Sequence, residues 1–235
     1  MKRLITSLII FIVLIGWSAS AQVVDSVSTS KAPDMNKIQQ VAKSKNKYNK
    51  LMARYLENDP TLTLEEYQQI YYGFIFQEEY NPYNKPSFKD DLVTSLYYKE
   101  NPTRRQCDII IECAEKSLEV DPFNLEQINY LIYAYRAQNK INLANFWQTR
   151  LNNVLRTILS TGNGKSPEDA WHVIDIGHEY ALVEFINDNY IIDRSEFIAP
   201  HFDHIIIKQN SANSTNGFFF NIKYSIDNYN KRFSK

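Results

Sequence analysis

The stretch that most constrains the fold runs from Ser117 to Phe146, SLEVDPFNLEQINYLIYAYRAQNKINLANF. Pro122 lacks the N–H that a continuing helix needs and disfavours helical geometry at Asp121, so one helix ends there. Asn124 supplies a capping oxygen for the next. In that helix Ile128, Leu131, Ile132 and Tyr135 recur at i, i+3, i+4 and i+7 and form one apolar stripe. After the polar break Gln138-Asn139-Lys140, a further helix lines up Ala144, Trp147, Leu151, Val154, Leu155 and Ile158. Amphipathic helices joined this closely must pack as hairpins, and the small Ala144 marks a close approach.

SLEVDPFN followed by Leu131, Tyr135 and Ala144 resembles a tetratricopeptide repeat, a helix pair with an acidic-Pro-Asn turn and Leu, Tyr and Ala at these offsets. Ile132 stands where that repeat has Gly, and Asn101-Pro102 interrupts the upstream unit, so no regular superhelix of several repeats is expected. The resemblance implies hairpins that present a surface to another protein or a peptide.

Residues 1–21 have the three parts of a secretory signal peptide. These are Lys2 and Arg3, an apolar run from Leu4 to Trp17, and Ala19-Ser20-Ala21 before Gln22. No Cys follows to accept a lipid, so a periplasmic or secreted location is expected. Cleavage takes Lys2 and Arg3 from the 26 basic residues and leaves about −3 of formal charge against 27 acids. No basic patch for nucleic acid and no second run long enough to cross a bilayer is present. Only Cys107 and Cys113 occur, and export permits a disulfide. On one helix, however, their spacing means a rise of about 9 Å, beyond the roughly 7 Å limit for bridging. Two buried, unpaired thiols are predicted.

Residues 22–33, rich in Ser, Thr and Val, read as a flexible leader. A helical, repeat-like segment is expected over 34–160. It opens with a helix from Asp34 to about Glu57, and Thr63 with Glu66 forms a capping box for a second helix from Leu64. The aromatic segment YYGFIFQEEYNPYNK then runs to Lys85. A helix from about Ser87 to Tyr98 is closed by Asn101-Pro102, and another from Thr103 buries Cys107, Ile110, Ile111, Ala114 and Leu118. Over 161–235 the pattern changes to an α+β segment. Ser166 and Pro167 read as the cap and first turn of a helix. Tyr190–Ile192, Asp203–Ile207 and Phe218–Tyr224 read as strands of a small antiparallel sheet. The fold class is α+β, mostly helical hairpins with that sheet at the C-terminus. YYGFIFQEEYNPY, GNGKSPEDAWHVI, HEYALVEF and FFFNIKY together resemble an uncharacterised domain-of-unknown-function family of exported Bacteroidetes proteins. That resemblance implies an envelope location and brings no catalytic residues.

No catalytic motif is complete. Gly164-Lys165-Ser166 ends like a phosphate-binding loop, but Leu159 replaces its first Gly and Pro167 follows. His178-Glu179 begins the zinc-protease pattern, but Leu182 takes the place of the second His. His201, Asp203 and His204 are the densest set of metal ligands, and His172, Asp175, His178 and Glu179 are able to join them. The plain alternative, a structural cap and packed imidazoles at a strand start, is favoured, and no cofactor is expected. Tyr71, Tyr72, Tyr80 and Tyr83 are rigid rings with polar tips, suited to sugars or peptides, although the same rings also fill helix interfaces. Tyr72, Tyr80 and Tyr83 are the partner-binding candidates, the last two because they lie in the Pro-containing turn. The composite expectation is an exported, non-enzymatic interaction or scaffold protein. Its expected partner is another envelope protein or a peptide. The alternatives are a metal-dependent hydrolase and a glycan-binding module.

Overall fold

A computed structural model describes residues 31–83, 90–187, 190–209 and 215–233. The expected signal peptide and almost all of the expected leader lie outside the described residues, as do Lys85 and the expected helix start at Ser87. The fold is α+β. Helices α1 (Met35–Ala42), α2 (Lys45–Leu56) and α3 (Leu64–Gly73) lead through a 3-10 turn, Phe74–Phe76, to α4 (Asp90–Tyr97). The long helices α5 (Arg104–Val120), α6 (Leu125–Ala137) and α7 (Ile141–Leu159) follow.

The single helix expected from Asp34 to Glu57 is two. In α1 the stripe is Ile38 and Ala42, whereas in α2 it is Tyr48 and Tyr55. Six residues separate Ala42 from Tyr48, about 240° out of phase at 100° per residue, and a break at Ser44 lets both stripes reach α3. Thr63 and Glu66 form the expected capping box on α3, and Thr103 with Gln106 forms another on α5. Asn124 caps α6 by accepting from Gln127 N–H. In α5 to α7 the stripes are buried as read except at Ile111 and Trp147, which are half-buried, with α5 packed on α6 and α6 on α7. Cys107 and Cys113 are buried free thiols.

The C-terminal part holds β1 (Trp171–His172), α8 (Gly177–Ile186), β2 (Ile192–Ile198), β3 (Phe202–Ile207), β4 (Gly217–Asn221) and α9 (Lys223–Phe233). The sheet order is β1-β4-β3-β2. β2, β3 and β4 pair antiparallel, as expected, but β1 joins β4 in parallel, so the sheet is mixed. Trp171, Ile205, Ile207, Phe218 and Phe220 form its buried face, and the core they enter is continuous with that of the helices.

The strand expected over Tyr190–Ile192 overlaps β2 only at Ile192, and two further expectations fail in this part. Ser166 caps one turn, not a helix: Asn163 and Gly164 N–H groups both donate to the Asp169 carbonyl, and the chain passes into β1. The strand expected to reach Tyr224 stops at Asn221. There the Asn221 Oδ1 accepts from Lys223 N–H and starts α9.

Candidate functional site

The aromatic segment that links α3 to the turn at Pro82 faces inward. Tyr72 donates its hydroxyl to the His172 carbonyl at 2.9 Å, Tyr80 to that of Ile174, and Tyr83 to that of Ser225 at 2.8 Å. Tyr71 shares a 2.7 Å hydrogen bond with His178 Nδ1. These bonds join α3 and the segment after it to residues 94 to 142 positions later and form a seam between the helical body and the C-terminal part. Burial raises the hydroxyl pKa of Tyr71 and Tyr72 well above the ordinary 10. As partner-binding candidates Tyr72 and Tyr80 are therefore corrected: both are buried with their polar tips used inside the chain. Tyr83 is exposed at its rim, yet its ring packs on Tyr229.

The seam also holds titratable groups. Glu179, in the first turn of α8, is fully buried, and among the described residues neither of its carboxyl oxygens has a hydrogen-bond partner. Burial, with the nearby charges of Asp203 and Asp175, pushes its pKa well above 4.5 and so favours the neutral carboxyl. Burial, aided by His201, lowers His172 to about 4. Asp203 is pushed up by burial alone.

The metal candidates do not converge. His204 and Asp203 are successive strand residues and take opposite faces. Asp203 shares the face of the buried Ile205 and Ile207, whereas His204 stacks flat on Phe219 at 4.1 Å. His201 lies in the β2–β3 turn with its ring 4.5 Å from Phe202. Among the described residues no group of three His, Cys, Asp or Glu side chains is placed to hold a metal ion. The phosphate-loop-like Gly164 has φ +68° and packs beneath the Trp171 ring.

Concave surface is found elsewhere, around the turn Val120-Asp121-Pro122 of the central hairpin. A groove of about 830 Å³ runs between α2, the 3-10 turn, α5 and α7, with Met52, Phe76, Leu118 and Trp147 among its walls. Phe74, Glu78, Glu79 and Val120 also line a second hollow of about 190 Å³. Asp121, Asp175 and His178 pass from that hollow into a third, about 240 Å³, between α4, α6 and α8. Neighbouring hollows thus share lining residues around that turn. At the wall of the groove Arg150 is buried against Trp147, Phe146 and Tyr55, with its charge centre 4.4 to 5.1 Å from the rings. It donates to the Leu56 carbonyl and to Asn58 Oδ1, and burial lowers its pKa.

A family model for a domain of unknown function, DUF4919, matches residues 35–231. The chain belongs to the DUF4919 family. No curated protein and no solved structure matches it. The DUF4919 match begins at α1 and ends in α9, so it takes in the helical body, the tyrosine seam and the sheet together.

The burial of Glu179 and the second covered face of α6 escaped the sequence reading. Glu179 heads the stripe Leu182, Val183 and Ile186 at i+3, i+4 and i+7, and a carboxylate on an apolar stripe is itself a signal of burial. Tyr130 and Tyr133 occupy a face of α6 other than that of Ile128 and Leu131. A helix apolar on two faces must be covered on both.

Proposed function

We propose that the protein is an exported, non-enzymatic interaction protein of the cell envelope, in which tetratricopeptide-like hairpins offer a groove to a segment of a partner protein. The observation that carries this reading is the open groove of about 830 Å³ between α2, the 3-10 turn, α5 and α7. Its lining of Met52, Phe76, Leu118 and Trp147 beside charged residues such as Lys45 and Glu119 suits a polypeptide better than a compact small molecule, which sits in a single enclosed pocket. Leu56 and Val120 lie in the groove and are half exposed, available to a partner. The signal-like residues 1–21 support export, and the periplasm or the cell exterior is the setting.

The hydrolase reading has less support, since His201, Asp203 and His204 diverge and the buried acid Glu179 lines none of the three hollows. The glycan reading loses the rings it needed, because Tyr72 and Tyr80 are packed internally.

Site-specific photocrosslinking tests the proposal. A benzophenone side chain at Val120 in living cells is expected to capture a discrete partner. The same group at Phe197, exposed on β2 and outside every hollow, is expected to capture none. Equal capture at both positions, or none at Val120 and at Leu56, overturns the assignment.

A further inference from the structure

Arg150 carries a charge that the rest of the chain does not balance. It is only 4 % exposed, yet it stands in the wall of the groove between α2, α5 and α7. Its Nε donates to Asn58 Oδ1 and its Nη2 to the Leu56 carbonyl, and both acceptors are neutral. Nη1, with two N–H groups, has no acceptor among the described residues and is not sealed from solvent. No carboxylate among the described residues pairs with this guanidinium. Arg54, on the neighbouring helix and more exposed, has two such partners in Asp59 and Glu66.

Two features compensate the charge in part. The C-terminus of α2, where Leu56 offers its carbonyl, supplies about half an elementary charge. The faces of Tyr55, Phe146 and Trp147 supply ring quadrupoles. Neither cancels a full positive charge withdrawn from water, and a bound anion would. We infer that the groove receives an aspartate or glutamate side chain of the partner segment and that Arg150 pairs with its carboxylate through Nη1. The inference rests on the groove reading above and supplies the partner's chemistry. The guanidinium is oriented before any ligand arrives, because Trp147 stacks 4.4 Å from its charge centre and two of its nitrogens are already bonded. Little side-chain freedom is then lost on pairing. Glu115 and Glu119 line the same groove, so the acid is recognised at one point on the α7 wall and not by overall charge. Salt screens such a largely buried pair much less than it screens contacts between exposed charges.

The test pans a randomised peptide display library against the purified protein and measures the selected peptides as soluble copies with amidated C-termini, so that only side chains carry carboxylates. The peptides are expected to share an Asp or Glu, and replacing it by Asn or Gln is expected to weaken binding about tenfold at low and at high salt alike. Against R150Q the same replacement is expected to change nothing. Arg150 also packs on three rings, so urea unfolding first checks that R150Q folds. If it does not, the guanidinium NMR signal of Arg150 in wild type takes its place, expected to shift with the acidic peptide and not with the amide counterpart. V120W, at an exposed position of the groove wall, is expected to block every groove-bound peptide. Peptides that V120W blocks but that need no acid would leave the groove standing and overturn this inference. An acid whose loss costs as much in R150Q as in wild type, or leaves the Arg150 signal unmoved, would also overturn it. Binding lost on amidation alone would overturn it as well, by assigning the carboxylate to a chain end. Peptides indifferent to V120W, or no selected peptide at all, would remove both readings.

Discussion

The α5–α7 body and the tyrosine seam are held together by opposite means. In the body the buried atoms are mostly hydrocarbon: Ile110, Ala114, Ile128, Leu131, Val154 and Ile158 meet across helices that follow one another directly. In the seam each large ring carries a hydroxyl with one specific acceptor, and the acceptors lie about a hundred residues away. Apolar contacts are tolerant of direction, whereas a buried polar group is costly unless its one partner is in place. The body is therefore held by volume and the seam by exact pairing, so the two are expected to fail differently under mutation and under pH.

The largest expected effect belongs to Glu179, whose ionisation in place would set an unpaired charge in the interior. Its folded pKa is raised above the ordinary 4.5, so the stability it contributes is full below 4.5 and is lost as pH climbs towards the folded value. His172 acts in the reverse direction. Its folded value of about 4 lies under 6.5, so its contribution is present above 6.5 and lost as pH falls towards 4. Urea unfolding from pH 5 to 9 should show wild type weakening on the alkaline side, with E179Q much flatter. An unchanged slope in E179Q would remove Glu179 as its source. Next, Leu131→Ala in the body is expected to cost about 2–5 kcal/mol by urea unfolding, with little dependence on pH. A strong pH dependence there would erase the distinction between the two regions. Tyr72→Phe keeps the ring and deletes only the donor to the His172 carbonyl, for about 1–3 kcal/mol. A neutral result would mean that water replaces the hydroxyl and that the seam is looser than its distances imply.

The same contrast explains what was legible in the sequence. The stripe of α6, the cap at Asn124 and the box at Thr63–Glu66 are local signals, decided within a few residues, and the structure reproduces them. The phase slip between Ala42 and Tyr48 was also local, and counting residues from one stripe to the next reveals it. The inward turn of Tyr72 and Tyr80 was not legible, because a tyrosine on a helix or near a proline reads the same whether its acceptor is solvent or the carbonyl of residue 172 or 174. The parallel strand β1 was hidden for a similar reason: two residues carry no periodicity, and the pairing with Phe220 and Asn221 is long-range. The hollows lie between α4, α6 and α8 and between α2, α5 and α7, so their walls exist only after the helices have packed.

The smallest of the expected effects tests whether the loop before β1 belongs to the seam. Gly164 sits at φ +68°, where a side chain is strained, and a Cβ there would lie 2.9 Å from the Trp171 ring. Trp171 has little room to retreat: its Nε1 donates to the Gly162 carbonyl at 3.0 Å and its ring packs 4.9 Å from Phe218. Gly164→Ala is therefore expected to cost about 1–2 kcal/mol from backbone strain, with some further loss from ring displacement. Denaturant unfolding followed by tryptophan fluorescence reads both, since a displaced Trp171 alters the native emission before any unfolding. If the variant matches wild type in midpoint and emission, the loop is a passive connection. A lowered midpoint with altered emission extends exact pairing from the tyrosines to the first strand of the sheet.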